Sequence, residues 1–204
     1  MSRYCHCRYL GPPGAGKGTQ CAKLASRYDW SHISSGNLLR MEVKSGSKRG
    51  HLLDRVMQNG DLVDPELVVN LIKEAIFKDI KQTGCKIYLL DGFPRALEEV
   101  NIFESEVQQI NLAVYFKISE KIATERILQR GLSSHRKDDN QITLQTRFHS
   151  FNCKTLPVIR LFKERANLKM IAADDTEESV FAKFQRILVP ESFSRFNFMC
   201  KNEE

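Results

Sequence analysis

The chain has 204 residues, a formal net charge of +6 and 42% hydrophobic residues. This length suits one domain whose core is large enough to need no disulfide or structural metal. The chain contains no run of five Lys or Arg residues and no aromatic residues interleaved with basic ones. We therefore expect the basic charge to serve an anionic small molecule and no nucleic acid.

The cysteines and the apolar segments favour a soluble protein of the cytoplasm. There is no apolar run of about 18 residues and no signal-like apolar core near Met1, so no membrane partner is expected. The six cysteines form no C-x-x-C pair, and Cys5-His6-Cys7 lacks distant partner ligands. We expect reduced thiols and no zinc.

The first predicted strand, Tyr4–Leu10, has an unusual pattern for the centre of a sheet. His6 and Arg8 interrupt its apolar residues. One interpretation is a short strand in which only Tyr9 and Leu10 are fully covered, and another is an atypical N-terminus.

A phosphate-binding loop follows this strand. Residues 11–19 read GPPGAGKGT, and six of these nine residues are Gly or Pro. Glycines let several backbone N–H groups converge, Lys17 adds a positive charge, and the apolar run Cys21–Ala25 predicts a helix whose N-terminus faces the same point. The strict P-loop pattern has Ser or Thr directly after the lysine, whereas here Gly18 precedes Thr19, so the motif is a variant.

The rest of the chain alternates strand-like and helix-like segments. Further strands are predicted at 31–34, 86–90, 112–116 and 168–173, and helices at 65–81, 119–129, 140–163 and 177–188. Pro157 is expected to kink or interrupt the third of these helices. Apolar strands separated by helices predict an α/β fold with a parallel sheet covered on both faces.

Two polar segments are predicted to be mobile covers of a site. Residues 34–63 carry four glycines between two strands, and residues 131–139 are polar and lie between two helices. The final residues, 189–204, are expected to form a flexible tail.

The arginines favour phosphoryl transfer over simple phosphate binding. Phosphoryl transfer spreads negative charge over three oxygens, so it needs several convergent cations. One arginine alone is most simply a solvated surface charge. Here six occur after or within the predicted loops and helices: Arg40, Arg95, Arg126, Arg130, Arg136 and Arg147.

Together these motifs resemble the short-lid nucleoside monophosphate kinases of the adenylate kinase and UMP/CMP kinase family. The resemblance rests on GPPGAGKGT at 11–19, SSGNLLR at 34–40, DGFPR at 91–95, and RILQRG with HRKDDN at 126–140. It implies a P-loop NTPase-like sheet of five parallel strands in one domain, 1–188. It also implies a nucleoside monophosphate (NMP)-binding insert at 34–63, a lid at 130–140, and ATP-dependent transfer with Mg²⁺.

The resemblance also assigns site residues. Catalytic roles are implied for Lys17, Arg95, Arg130, Arg136 and Arg147. ATP binding is implied for Gly14, Ala15, Gly16, Lys17, Gly18, Thr19, Arg126, Arg130 and Asp175. Binding of the monophosphate is implied for Ser35, Arg40, Asp61, Leu62, Val63, Gly92, Phe93, Pro94, Arg95, Glu99, Arg136 and Arg147.

Finer roles follow from the same resemblance. Arg40 and Arg95 should hold the acceptor phosphate, and Arg126 should lie over the donor base or ribose. Asp91 should organise Mg²⁺ through water. Asp138 and Asp139 either help to hold the lid closed or serve as charges at a helix N-terminus.

The acceptor base is less clear from the resemblance. Adenylate kinases usually have Thr and Gln where this chain has Ser35 and Glu99, and UMP/CMP kinases usually have Ala and Asn. Residues 42–47 and 62–69 resemble adenylate kinases more closely, whereas Ser133-Ser134 resembles the other group. We favour AMP over CMP or UMP, with GMP third. A monomer is expected, and a catalytically weak nucleotide-binding module is the alternative from another class.

Overall fold

The computed structural model describes residues 5–83, 87–134, 136 and 138–189. Its centre is a sheet of five strands: β1 Cys5–Leu10, β2 Ser31–Ser34, β3 Ile87–Asp91, β4 Leu112–Lys117 and β5 Leu168–Ala172. All pairings are parallel, in the order β2-β3-β1-β4-β5. The predicted α/β fold with a five-stranded parallel sheet is confirmed. Tyr4 and Lys86, where two strands were predicted to begin, lie outside the described residues.

Helices cover both faces of this sheet. Their bounds are α1 Lys17–Tyr28, α2 Ser35–Lys44, α3 Lys48–Asn59, α4 Pro65–Thr83, α5 Leu97–Glu106, α6 Glu120–Ser134, α7 Gln141–Ser150, α8 Leu156–Glu164 and α9 Glu177–Leu188. None of the helices in the described part of the chain is both long and apolar enough to cross a membrane.

Successive side chains of the strands point alternately into two apolar cores, as expected for a sheet that is buried on both faces. On β1, Tyr9 packs into one core with α1 and α9, while Leu10 packs into the other with α4 and α5. Since β1 is the middle strand, the loop that follows it lies at the centre of the carboxyl edge of the sheet. Ligands of open parallel sheets bind at this edge.

The polar residue in β1 is accommodated by aromatic packing. The short-strand interpretation is wrong, because Cys7 and Arg8 are buried along with Tyr9 and Leu10. The Arg8 guanidinium carbon lies 4.2 Å from the centre of the Phe103 ring. A cation over an aromatic face gains electrostatic attraction, and its aliphatic stem packs like an apolar side chain.

The helix predicted at 140–163 is continuous but not uniform. It consists of α7, a π-turn at Phe151–Thr155, and α8. Leu156 donates its backbone N–H to the carbonyl of Phe151, five residues back. Pro157 has no N–H, and its ring crowds the carbonyl four residues earlier. One helical turn therefore takes up an extra residue, and the helix continues past Pro157. The predicted interruption therefore takes the form of a π-turn.

The two predicted covers lie at the same edge of the sheet. The insert, 34–63, contains α2 and α3. The two helices are linked by the Glu42 carboxylate, which accepts hydrogen bonds from the side chains of Ser47 and Arg49. α6 extends to Ser134, so the polar segment at 131–139 begins as helix, not as loop. His135, Lys137 and the tail from Pro190 lie outside the described residues.

Candidate active site

The phosphate-binding loop has the conformation that its glycines require. Gly14 and Gly16 have φ of 81° and 79°, in the left-handed region. A Cβ on Gly14 would lie 2.4 Å from the Ala123 carbonyl oxygen, so this residue also lets the loop approach α6. α1 begins at Lys17, directly after Gly16. The positive end of the α1 dipole and the loop N–H groups therefore face one point.

Lys17 is held inside this loop. Its Nζ donates to the carbonyl oxygens of Gly11 and Pro12, each at 2.8 Å. Burial lowers the pKa of Lys17 to about 8, and the positive charges of Arg95 and Arg147 act in the same direction, against Asp91. An anion bound beside the ammonium would favour its charged form.

Basic side chains from six parts of the chain meet in front of the loop. Among the described residues, six Lys and Arg side chains line this charged cleft: Lys17, Arg40, Arg95, Arg130, Arg136 and Arg147. They come from α1, α2, the loop after β3, α6, the lid and α7. The cleft also includes His32, Asp91 and the loop residues 13–19.

The cations of the charged cleft repel one another. Burial lowers the pKa of Arg40 to about 10, and Arg136 contributes to the shift. Burial also lowers the pKa of Arg147, and Arg95 opposes its charge. Partly buried like charges at short range are unfavourable unless an anion compensates them. The arrangement is therefore suited to a ligand with several negative charges.

The two lid carboxylates hold two of these arginines. Asp139 accepts two hydrogen bonds from Arg130, each at 2.7 Å, and the Asp139 side chain has no exposed surface. Asp138 accepts a bond of 3.0 Å from Arg147. The bidentate pair of Arg130 with Asp139 fixes the plane of that guanidinium group. The α7 N-cap is instead the Asn140 side chain, which accepts from the Thr143 N–H, so the lid-holding interpretation of these aspartates fits the contacts better.

Asp91 lies at the carboxyl end of β3, on the floor of the charged cleft. Burial would raise its pKa, but the His32 imidazole and the charge of Lys17 outweigh it, and the pKa lies below its ordinary value. The His32 Nε2 is 3.7 Å from the carboxylate. A Cβ on Gly18 would lie 3.1 Å from the same carboxylate, so Asp91 faces the phosphate-binding loop.

A second pocket opens on the far side of the loop and is called the donor pocket, after the ATP binding that the resemblance implies for several of its residues. It is lined by Gly14–Gly16, Thr19, Gln20, Arg126, Arg130, Asp175–Glu177 and Val180. Arg126 donates to the carbonyl oxygens of Ala173 and Asp175, at 2.9 and 3.0 Å. The Asp175 carboxylate is bound by Ser179, whose hydroxyl contributes most to lowering its pKa to about 2. The Asp175 side chain thus belongs to the start of α9, while its backbone carbonyl is bonded to Arg126.

A third pocket lies between the insert and α5 and is called the base pocket, after the acceptor base that the resemblance implies for Ser35 and Glu99. It is lined by Ser35, Leu39, Asp61, Leu62, Val63, Val68, Gly92, Arg95 and Glu99. The Ser35 hydroxyl donates to the Gly92 carbonyl at 2.8 Å. Glu99 is 2% exposed and accepts a 2.6 Å bond from the Arg95 N–H. Burial outweighs this bond and raises the pKa of Glu99 to about 7.

The predicted site residues fall into these three regions with two differences. Phe93 lines none of the three, is fully buried, and packs against Phe103 with ring centres 5.3 Å apart. Pro94 instead lines a small cavity behind Lys17. Sequence reasoning missed His32 in the cleft, as well as Leu39 and Val68 in the base pocket. Val68 was detectable as part of an apolar helical stripe, whereas His32 carried no signal in its short strand.

Fold and geometry together define a class. The sheet is that of a P-loop protein, and its phosphate-binding loop faces clustered arginines with a separate pocket on each side. One nucleotide alone would not need both pockets. This is the construction of a nucleoside monophosphate kinase, a transferase of phosphoryl groups.

Comparison with known proteins agrees and narrows the class. The family model for adenylate kinase matches residues 9–167. Adenylate kinase isoenzyme 1 of Caenorhabditis elegans is 43% identical over 173 residues, which cover 85% of this chain and 82% of that protein. Adenylate kinase 1 of Schistosoma mansoni is 42% identical and human adenylate kinase isoenzyme 1 is 37% identical, covering 87% and 89% of those proteins and 85% of this chain. The chain belongs to the adenylate kinase family.

Proposed function

We propose that this enzyme transfers a phosphoryl group reversibly between ATP and AMP, forming two ADP. The observation that carries the proposal is the charged cleft, where Lys17 and five arginines converge between the donor pocket and the base pocket. The relatives described above are all named adenylate kinases. A UMP/CMP kinase or a weak binding module is not favoured by these names or by the full set of cations.

The positions of the cations suggest a division of labour. Lys17 and the loop N–H groups hold the donor phosphates, while Arg40 and Arg95, on the insert side, hold the acceptor phosphate. Arg130 and Arg147 are held by the lid aspartates. They are therefore placed to stabilise the negative charge of the phosphoryl group during its transfer. Preorganised charges of this kind need no reorganisation during the reaction, which is the main source of their catalytic effect.

Asp91 is suited to Mg²⁺ in this reaction. Its carboxylate is anionic, is 13% exposed and faces the loop where the donor phosphates would lie. In the described part of the chain no group of three or more His, Cys, Asp or Glu residues could enclose a metal. A single carboxylate acting through water fits Mg²⁺, which keeps most of its own water ligands. When bound with ATP, Mg²⁺ would neutralise phosphate charge.

Glu99 bears on the choice of AMP. An ionised carboxylate only accepts hydrogen bonds, whereas a neutral carboxyl group donates one and accepts another, as a glutamine amide does. Because burial raises the pKa of Glu99 to about 7, its neutral form is accessible near neutral pH. The neutral form could donate to adenine N1 and accept from adenine N6. Ser35 is occupied by the Gly92 carbonyl and so contributes mainly to the shape of the base pocket.

Closure of the two covers is part of the proposal. The insert and the lid both border the charged cleft, through Arg40 and Arg136. Bringing them together over the substrates would exclude water, which would otherwise hydrolyse ATP. The monomeric state, the cytoplasmic location and the absence of zinc stay predictions.

The proposal is tested by measuring phosphorylation of four acceptors with ATP. We expect AMP to have the highest kcat/KM, with CMP and UMP well below it and GMP lowest. The Glu99→Gln variant, measured in parallel, identifies the base pocket as the origin of the preference. A preference for CMP or UMP would replace AMP as the substrate, and no transfer to any acceptor would leave only the binding module.

A further inference from the structure

Three side chains along the helix formed by α7, the π-turn and α8 face the insert, the charged cleft and the loop of Arg95. Thr143 on α7 donates its hydroxyl to the Gln58 carbonyl, at the end of α3 in the insert, at 2.7 Å. Arg147, one turn later, lines the charged cleft. Thr155, the last residue of the π-turn, donates its hydroxyl to the Arg95 carbonyl at 2.9 Å. Both threonines are buried, at 3% and 5% exposure.

The π-turn places Thr155 on the same face as Arg147. In an uninterrupted α-helix each residue turns by about 100°, so residues eight apart differ by about 80°. The extra residue of the π-turn reduces the effective spacing to seven, which leaves a difference of about 20°. Thr143, four residues before Arg147, is about 40° away from it on the same side as Thr155. Without the π-turn, Thr155 would point away from the loop of Arg95.

The Arg95 backbone is thereby fixed from two directions. Its carbonyl accepts from Thr155, and its N–H donates to the Glu99 carboxylate at 2.6 Å. The Arg95 side chain donates through Nε to the Gly92 carbonyl at 2.7 Å. The Arg95 side chain therefore extends from a backbone that is hydrogen-bonded to the helix carrying Arg147.

We propose that Thr155 is a positioning residue for phosphoryl transfer. Its hydroxyl ties the loop of Arg95 to the helix of Arg147, so that the two guanidinium groups keep a fixed relation across the acceptor phosphate. The proposal rests on the function proposed above. It assigns the π-turn a purpose, which is to align Thr155 with Arg147.

Two substitutions separate the hydroxyl of Thr155 from its methyl group. Thr155→Val keeps the methyl and removes the donor, and Thr155→Ser keeps the donor and removes the methyl. Removing one net hydrogen bond should lower kcat/KM for AMP by about 3- to 10-fold in Thr155→Val. KM for ATP should be unchanged, because Arg95 lies on the acceptor side, and Thr155→Ser should retain wild-type kinetics. Thr83→Val, which removes an exposed hydroxyl bonded to the Asp79 carbonyl, is the control for the same substitution elsewhere.

A second measurement does not depend on turnover. AMP binding measured by calorimetry should weaken in Thr155→Val and not in Thr155→Ser. If Thr155→Val is poorly stable, comparing Thr155→Ala with Thr155→Ser tests the same loss of the hydroxyl group. Equal kinetics and equal AMP affinity for the hydroxyl-free and hydroxyl-bearing variants would overturn the proposal. So would an equal change in KM for ATP and AMP. If the wild type prefers another monophosphate, the proposed choice of AMP fails. The role of Thr155 is then still tested by making the same comparison with the preferred acceptor.

Discussion

The charged cleft and the base pocket use opposite physical means to handle their ligands. The cleft gathers mutually repelling cations, and burial lowers the pKa values of Lys17, Arg40 and Arg147 there. The base pocket has apolar walls and buries one carboxyl group, Glu99, whose pKa rises. In each region burial disfavours the charged form, and in each a bound nucleotide would supply the missing partner.

The difference shows how binding and selectivity are separated in this enzyme. Charges of the cleft act on any phosphate, so they contribute to rate and affinity for every nucleotide. A buried hydrogen-bonding group discriminates between bases, because a mismatched base leaves it unpaired. Substitutions in the cleft should therefore affect all acceptors equally, and substitutions in the base pocket should change their order.

The largest effect is expected for Lys17→Met. Removing one preorganised cation at the developing charge should lower kcat by about 100- to 1000-fold for every acceptor. The fold should remain, since the Lys17 ammonium group bonds to loop carbonyls and the side chain belongs to neither apolar core. Lys23→Met, on the same helix and paired with Glu177 at the surface, is the control and should be nearly normal. Near-normal turnover of Lys17→Met would exclude the loop as the site of phosphate activation.

A smaller loss is expected for Asp139→Asn. It removes the charge that holds Arg130 through two hydrogen bonds, and a hydrogen bond to a charged group contributes about 1.5–3 kcal/mol. We expect kcat to fall about tenfold for all acceptors and the melting temperature to drop. Glu106→Gln, which weakens an exposed ion pair with Lys73, should change neither. An unchanged kcat would mean that the lid carboxylate does not orient Arg130.

The smallest effect is expected for the pH dependence of KM for AMP, which reports on Glu99 in the base pocket. Glu99 has a raised pKa, so its neutral form dominates below pH 7 and is lost above it. KM for AMP in the wild type, relative to Glu99→Gln, should therefore rise by about 2- to 10-fold between pH 6 and pH 8. Taking the ratio removes the titration of AMP and of Lys17. Glu106→Gln, at the exposed end of α5, should follow the wild type. Parallel profiles for all three proteins would place Glu99 outside base recognition.

Much of the fold and of the cleft could be predicted because both depend on local pattern. Apolar runs fixed the strands at the sheet centre, and the spacing of GPPGAGKGT placed Lys17 at the start of a helix. Arg8 was misinterpreted because its burial depends on Phe103, about 95 residues away in sequence. Such long-range compensation leaves no trace in a local pattern.

The finer parts of the site could not be predicted from sequence for the same reason. The π-turn depends on how the helix absorbs Pro157, and Thr155 has a partner only because that turn rotates it toward Arg95. The sequence alone also says nothing about the protonation state of Glu99. Its raised pKa comes from burial between α5 and the insert, which only the packed structure shows.

The central claim, two nucleotide sites joined by one cleft of cations, is tested most directly with a bisubstrate analogue. Such a molecule joins two adenosines through a chain of phosphates, and its control has the same phosphates but one adenosine. Because occupying one pocket brings the second adenosine to the other, the analogue should bind at least about 100-fold more tightly than ATP or the control. An analogue that binds no more tightly than ATP would contradict the account.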